Sequence, residues 1–296
     1  MKYWLKQTEN EMRLLGYSRM TIRAYLQCLK VYLTWFKGDV QIMDRDAIKC
    51  FLLNKLDCGK SSQTVNLYLN AISFFYKRVL KNPEKLGLKF AKRPRKLPTV
   101  LSHDEIVRVI DTTQNRKHKL IIALAYSAGL RVSEVVNIRI CDVRLENLSL
   151  LIRYAKGNRD RLTIFSEKLR ADILRFTFGR NPDEYLFESD RGGKLKGGCR
   201  AQGQGRVPSL SKCGQAEPAK LTTRTLQKIF ENALVRAGIF GGATFHSLRH
   251  SFATHLIENG VNLRYVQELL GHRNIRTTQL YTQVAMPALI AVKSPL

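Results

Sequence analysis

The chain has 296 residues, 44% of them hydrophobic. That is enough for ordinary globular cores and long enough for two domains, because single cores stop growing at ~250–300 residues. Its 50 Lys and Arg stand against 24 Asp and Glu, a formal net charge of +26. This excess argues against a merely soluble basic protein and calls for a polyanionic partner. Nucleic acid is the first candidate, since each neutralised phosphate releases counterions, and an anionic membrane surface is the second. Cys28, Cys50, Cys58, Cys141, Cys199 and Cys213 form no C-x-x-C pair, which reads as reduced, cytoplasmic usage rather than a disulfide framework. The N-terminus MKYWLKQTENEMRLL carries charges throughout and has no apolar h-region. No stretch approaches the ~18 apolar residues of a membrane span, so no membrane partner is expected.

Residues 1 to about 85 read as four helices. In the second, Ser18 is a cap, Ile22, Tyr25, Leu26, Leu29, Tyr32, Leu33 and Phe36 recur at helical spacing, and Gly38 is the stop. The fourth repeats the pattern with Val65, Tyr68, Leu69, Ile72, Phe75, Tyr76 and Val79. At this spacing the aromatics are core residues rather than stacking platforms. LKFAKRPRKLPTVLS, residues 88–102, holds two prolines and five Lys or Arg and reads as an extended basic linker. Ser102 and Glu105 form a capping box that opens a second domain near residue 100. There, KLIIALAYSA (119–128) is a buried helix closed by Gly129. LSLLIRY (148–154) and RLTIF (161–165) are strands of a hairpin with Gly157 and Asn158 in its turn. Residues 191–218 are Gly-rich, basic and nearly free of large apolar side chains, and read as an insertion too polar to build core. SLRHSFATHLIEN then runs to Gly260, and NLRYVQELL to Gly271.

Four segments carry candidate chemistry: SAGLRVSE around Arg131, Lys156 at the hairpin tip, FHSLRHSFATH with His246 and Arg249, and LLGHRNIRTTQLYTQV with His272 and Tyr281. Singly, each has a plain explanation as a surface charge, a solvated turn or a packed ring. Together they form an order: Arg, Lys, His-x-x-Arg, Gly-His, then Tyr nine residues after that His.

In this order, and in G-L-R-x-S-E, K-G-N-x-x-R, H-x-L-R-H-x-F-A-T-H, L-G-H and the final Y-T, the chain resembles the tyrosine site-specific recombinases of the phage integrase family, Xer recombinases in particular, over nearly its whole length. The resemblance implies a mainly α fold. A four-helix core-binding domain (1–85) and a basic linker (86–100) precede a mixed α/β catalytic domain (101–296) with a small antiparallel sheet, the two domains clamping opposite faces of DNA. The departures are an insertion at 196–219 and Ala285-Met286-Pro287 after the tyrosine.

The implied activity is DNA strand breakage and rejoining through a 3′-phosphotyrosine, with no metal or other cofactor. Tyr281 is the nucleophile. Arg131 and Arg249 suit the charge on the non-bridging oxygens as planar, permanently charged forks. Lys156 protonates the leaving 5′-oxygen, His246 accepts the proton of Tyr281, and His272 donates to the phosphate. Glu134, one turn after Arg131, orients an arginine or its helix. The implied partners are double-stranded DNA with inverted half-sites, a homo- or hetero-tetramer (with a paralogue in the latter case) linked by the tail 286–296, and a DNA translocase activator. The implied role is chromosome or plasmid dimer resolution. A mobile-element integrase shares the chemistry, but a helix starting at residue 3 leaves no room for an arm-binding domain. A type IB topoisomerase, a DNA-binding regulator with a vestigial site, and a metal hydrolase using His246, His250 and His255 are the other readings. The last lacks an acidic ligand.

Overall fold

A computed structural model describes residues 1–82, 84, 86–88, 91, 97–155, 159–189, 220–272 and 274–282. The hairpin tip with Lys156, residues 89–90 and 92–96 of the basic linker, the 196–219 insertion and the 286–296 tail lie outside these residues. The chain divides into two compact units, residues 1–96 and 97–296.

The first unit is built from α1 (Lys2–Leu14), α2 (Arg19–Trp35), α3 (Arg45–Asp57) and α4 (Ser62–Phe74). Ser18, Asp44 and Ser61 each cap a helix by accepting a backbone N–H from the third residue onward. The apolar stripes meet in one core of Leu29, Tyr32, Ile48, Phe51, Ile72 and Phe75. Two details differ from the sequence reading. α2 ends at Trp35, where Phe36 turns extended, before Gly38 is reached. Residues Phe75–Val79 form a π-helical turn instead of continuing α4. This turn keeps Phe75 and Tyr76 both buried and brings the Tyr76 hydroxyl 3.2 Å from that of Tyr32. The start of the basic stretch is fastened to this unit. The buried Asn66 side chain donates to Ala91 O (3.0 Å) and accepts from Ala91 N (2.9 Å).

The second unit opens with α5 (His103–Asp111), whose Ser102–Glu105 capping box is fully formed. α6 (Arg116–Ser127) follows, then the single turn α7 (Val132–Val135). Strands β1 (Val143–Arg144), β2 (Ser149–Ala155) and β3 (Arg159–Ile164) form an antiparallel sheet in that order. β1 is too short to be legible in sequence. Leu150 pairs with Thr163 and Ile152 with Arg161, so these four share a face. That face is buried, while Leu162 and Ile164 of β3 are about half exposed, reversing the usual polar-out pattern. α8 (Arg170–Thr177), α9 (Thr223–Arg236), α10 (Phe245–Glu258), α11 (Leu263–Leu270) and α12 (Ile275–Thr282) complete the unit. α6 and α10 pack against each other at its centre, and α11 and α12 pack on α10. Among the described residues Cys28, Cys50, Cys58 and Cys141 are free thiols, and no helix is long and apolar enough to cross a membrane.

Candidate active site

The glycine in S-A-G-L-R sets the first part of the site. Gly129 ends α6 at φ +58°, a conformation that disfavours side chains, and a Cβ there would lie 2.4 Å from the Phe252 ring. The chain thereby turns sharply and presents Arg131 as the residue capping α7. Arg131 is held at both ends by Glu134: its backbone N–H donates to Oε2 (2.8 Å) and its Nη1 to Oε1 (2.7 Å).

Glu134 also receives Arg161 from β3, through Nη1 to Oε1 (2.6 Å) and Nη2 to Oε2 (2.8 Å). Arg249 Nη1 lies 3.8 Å from the same carboxylate. Burial would raise the Glu134 pKa, but the hydrogen bonds and charge of Arg161, the Arg131 amide and Arg249 outweigh it and leave it at about 2. Three guanidiniums around one carboxylate leave two positive charges in excess. Arg161 Nε continues to Leu269 O (2.9 Å), tying β3 to the end of α11. Gly271 makes room for it, since a Cβ at that position would meet Arg161 Cδ at 2.7 Å.

Arg249 has no exposed surface. Its Nη1 donates to Gly129 O (2.7 Å), and its Nη2 to Leu270 O and to His272 Nε2 (3.1 Å). Its Nε has no hydrogen-bond partner among the described residues. Burial, with Arg131 and Arg161 nearby, pulls its pKa down to about 9, so it stays charged at neutral pH.

A guanidinium only donates, so His272 Nε2 is an acceptor here, and its Nδ1 faces Thr278 Oγ1 at 3.0 Å. Both nitrogens are engaged within the protein. Gln267 secures the His272 loop by donating Nε2 to His272 O (2.8 Å).

Tyr281 comes from α12 and is 2% exposed, packed on Phe252, Ala253, Val266 and Leu270. Its ring lies nearly parallel to that of His272 (15°, centroids 6.3 Å apart). Its hydroxyl is 3.1 Å from His250 Nδ1. The histidine hydrogen-bonded to the phenol is therefore His250. His246 is exposed in the first turn of α10 and meets the His250 ring edge-on at 4.4 Å. Burial raises the Tyr281 pKa, and Arg249 and Arg131 pull against it.

Arg131, Arg249, His246, His272 and Tyr281 thus gather in one site, whereas Lys156 lies outside the described residues. Arg161 and Gln267 join it without having been singled out as candidates, and His250 joins it after being considered only as a ligand in the metal-hydrolase reading. Arg161 was visible as the last residue of K-G-N-x-x-R, and its inward position on β3 is what the motif does not convey. His255 turns away and bonds Tyr126 (2.8 Å), and among the described residues no group of three or more His, Cys, Asp or Glu is placed to hold a metal ion.

The buried imidazoles make stability pH-dependent. Burial and the neighbouring positive charges depress His250 to about 4 and His272 to about 3, against ~6.5 in an unfolded chain. Between these values the unfolded chain binds more protons, so stability falls as pH drops below ~6.5. Glu134, held at about 2, extends the loss below ~4.3. Urea midpoints of the second unit should decline steadily from pH 7 to pH 3, and a flat or rising profile would contradict these environments.

The comparisons with known proteins agree with this geometry. Residues 99–287 match the phage integrase family, and residues 4–85 match the phage integrase N-terminal SAM-like domain. The tyrosine recombinase XerA of Pyrococcus horikoshii is 34% identical over 281 residues, covering 95% of this chain and 88% of the relative. A crystal structure of XerA recombinase superposes with a TM-score of 0.52 at 25% identity, covering 99% of both chains. A lambda integrase dimer bound to a COC′ core site shares the fold, with a TM-score of 0.70 at 18% identity over 95% of this chain and 94% of that one. With its ordered Arg, His-x-x-Arg, Gly-His and Tyr converging on one site, the chain belongs to the phage integrase family and is an Xer-like tyrosine site-specific recombinase.

Proposed function

We propose that the protein cuts and rejoins double-stranded DNA at inverted half-sites through a 3′-phosphotyrosine formed on Tyr281, and that it resolves chromosome or plasmid dimers. What supports this reading most is the surplus of guanidinium charge around Glu134, with Tyr281 packed beside it. A phosphodiester supplies the negative charge that such a cluster lacks. Arg131 and Arg249 bind the non-bridging oxygens, and Arg249 Nε, which has no hydrogen-bond partner among the described residues, is a further donor for them. His272 holds the Arg249 fork, and His246 is the imidazole at the surface where the phosphate enters. The phenol oxygen bonds to phosphorus as the bond to the 5′-oxygen breaks. Lys156 gives that oxygen its proton, and the phenol proton passes to an imidazole. Rejoining reverses each transfer, and no external energy source is needed because the phosphotyrosine conserves the phosphodiester bond energy.

The first unit and the basic linker clamp the far face of the duplex. The 286–296 tail, which offers Met286, Leu289, Ile290 and Val292, docks on the neighbouring subunit of a ring tetramer. The work takes place in the cytoplasm, with a paralogue and a DNA translocase as the candidate additional partners. Trapping the protein covalently on genomic DNA and sequencing the attached fragments tests the assignment. One locus with two inverted half-sites near a replication terminus supports dimer resolution. Scattered mobile-element ends would replace it with integration, and the absence of any covalent DNA would sink both.

The role of Lys156 has its own test. Lys156→Ala should lose ~10²–10⁴-fold in cleavage of ordinary DNA. It should recover on a substrate with sulfur at the 5′-bridging position, because a thiolate leaves without a proton. Equal impairment on both substrates would remove Lys156 from the acid role.

A further inference from the structure

We infer that the Thr278 hydroxyl is the switchable partner of His272. It accepts the Nδ1 proton in the free protein and donates its own hydrogen to Nδ1 when DNA is bound, so that Nε2–H is free for the phosphate. This rests on the reading of His272 as a donor to the phosphate, which the family resemblance implies. The geometry sets the problem. Arg249 Nη2 lies 3.1 Å from His272 Nε2, and Nδ1 lies 3.0 Å from Thr278 Oγ1. A guanidinium offers only donors, so Nε2 turns its lone pair to Arg249 and the ring proton sits on Nδ1. In that tautomer Nε2 has no proton to offer a phosphate. A doubly protonated ring is excluded at neutral pH, since burial with Arg249, Arg131 and Arg161 holds the His272 pKa at about 3. His272 therefore donates from Nε2 only as the other neutral tautomer, and Nδ1 then needs a donor facing it.

Thr278 suits both states, because a hydroxyl accepts or donates by turning about one bond. It is fully buried on α12, while its neighbour Thr277 is exposed. A threonine inside a helix commonly bonds the carbonyl one turn back. The one side-chain hydrogen bond of Thr278 among the described residues goes to His272 Nδ1 instead. Gln267 fixes the backbone of the histidine through His272 O (2.8 Å), which keeps the ring within reach of Thr278. An arriving phosphodiester draws the Arg249 donors to its own oxygens, and Nε2 loses the contact that kept a proton off it. One proton then leaves the ring at Nδ1, one arrives at Nε2 from water, and the Thr278 hydrogen turns toward Nδ1. The charge of the ring does not change. Thr278 touches no reacting atom and is a positioning residue.

The test has two readouts on the full chain, with a nicked duplex carrying the site recovered by genomic trapping. The first is single-turnover cleavage by the wild type, Thr278→Val, Thr278→Ser and His272→Gln. Thr278→Val keeps the shape but leaves Nδ1 without a partner, and should cleave about ten- to a hundredfold more slowly while binding the duplex within about threefold of wild type. Thr278→Ser restores the hydroxyl and should cleave within about threefold of wild type. The second readout is NMR of the Tyr281→Phe protein with isotopically labelled histidine nitrogens, the His272 signals being identified by their loss in His272→Gln. The proton should sit on Nδ1 in the free protein and on Nε2 in the DNA complex. Wild-type cleavage by Thr278→Val, equal impairment of Thr278→Ser, or a proton that stays on Nδ1 in the complex overturns the role of Thr278. Cleavage by His272→Gln at the wild-type rate would instead overturn the reading of His272 on which it rests. The NMR measurement keeps Thr278 intact, so it decides the matter even where Thr278→Val folds poorly.

Discussion

Glu134→Ala should destabilise the second unit by about 3–5 kcal/mol, because it leaves guanidiniums in the interior with their counter-charge removed. The side chain bonds Arg131 and Arg161 and lies 3.8 Å from Arg249. It is buried, so water does not replace it. In a unit of this size the loss lowers the melting temperature by roughly 10 °C or more. Glu134→Gln should fare little better, since its amide must present a donor to a cluster made of donors. Thermal melts of both variants check this, and a shift under about 2 °C would mean that the carboxylate is dispensable. The outcome bears on function because Glu134 links the turn carrying Arg131 to β3, the strand that follows the Lys156 hairpin tip.

Arg249→Lys should cost about 10²–10³-fold in cleavage, the usual effect of removing one donor from a preorganised anion site. A single ammonium on a flexible stem does not reproduce a fork that reaches Gly129 O, Leu270 O and His272 at once. Unlike Lys156→Ala, this variant should gain nothing from sulfur at the 5′-bridging position, because what it lacks is stabilisation of the non-bridging oxygens. Rescue by sulfur would show that Arg249 acts on the leaving group. The variant should also lose stability, on the order of 3 kcal/mol, as two buried charge-assisted bonds are broken.

Most of the framework around these residues was legible in the sequence because it depends on local chemistry. Ser18 and Ser102 cap the helices they were expected to cap. Gly129, Gly260 and Gly271 all take positive φ where α6, α10 and α11 stop. The strands flanking Lys156 pair as a hairpin. What stayed hidden depends on contacts far apart in the chain. His246 and His250 are one turn apart on α10, so spacing alone does not decide which ring meets α12. The docking of Tyr281 into the pocket of Phe252, Val266 and Leu270 decides it. Arg161 closes the K-G-N-x-x-R motif, and nothing local in that motif says that it is buried. Its partner Glu134 is 27 residues earlier, and β3 hides its polar face while showing Leu162 and Ile164. The π turn at Phe75–Val79 has no signature in FYKRV, because the same residues would also make an acceptable α-helix.

Tyr281 is expected to carry the covalent bond to DNA. The most direct measurement is to digest the protein–DNA adduct trapped on a nicked duplex and map the nucleotide-bearing residue by mass spectrometry. The expected result is a 3′-phosphate on Tyr281, within the peptide that follows Arg276. Tyr281→Phe should still bind the duplex but give no adduct. A nucleotide on any other residue, or an adduct that survives in Tyr281→Phe, would contradict it.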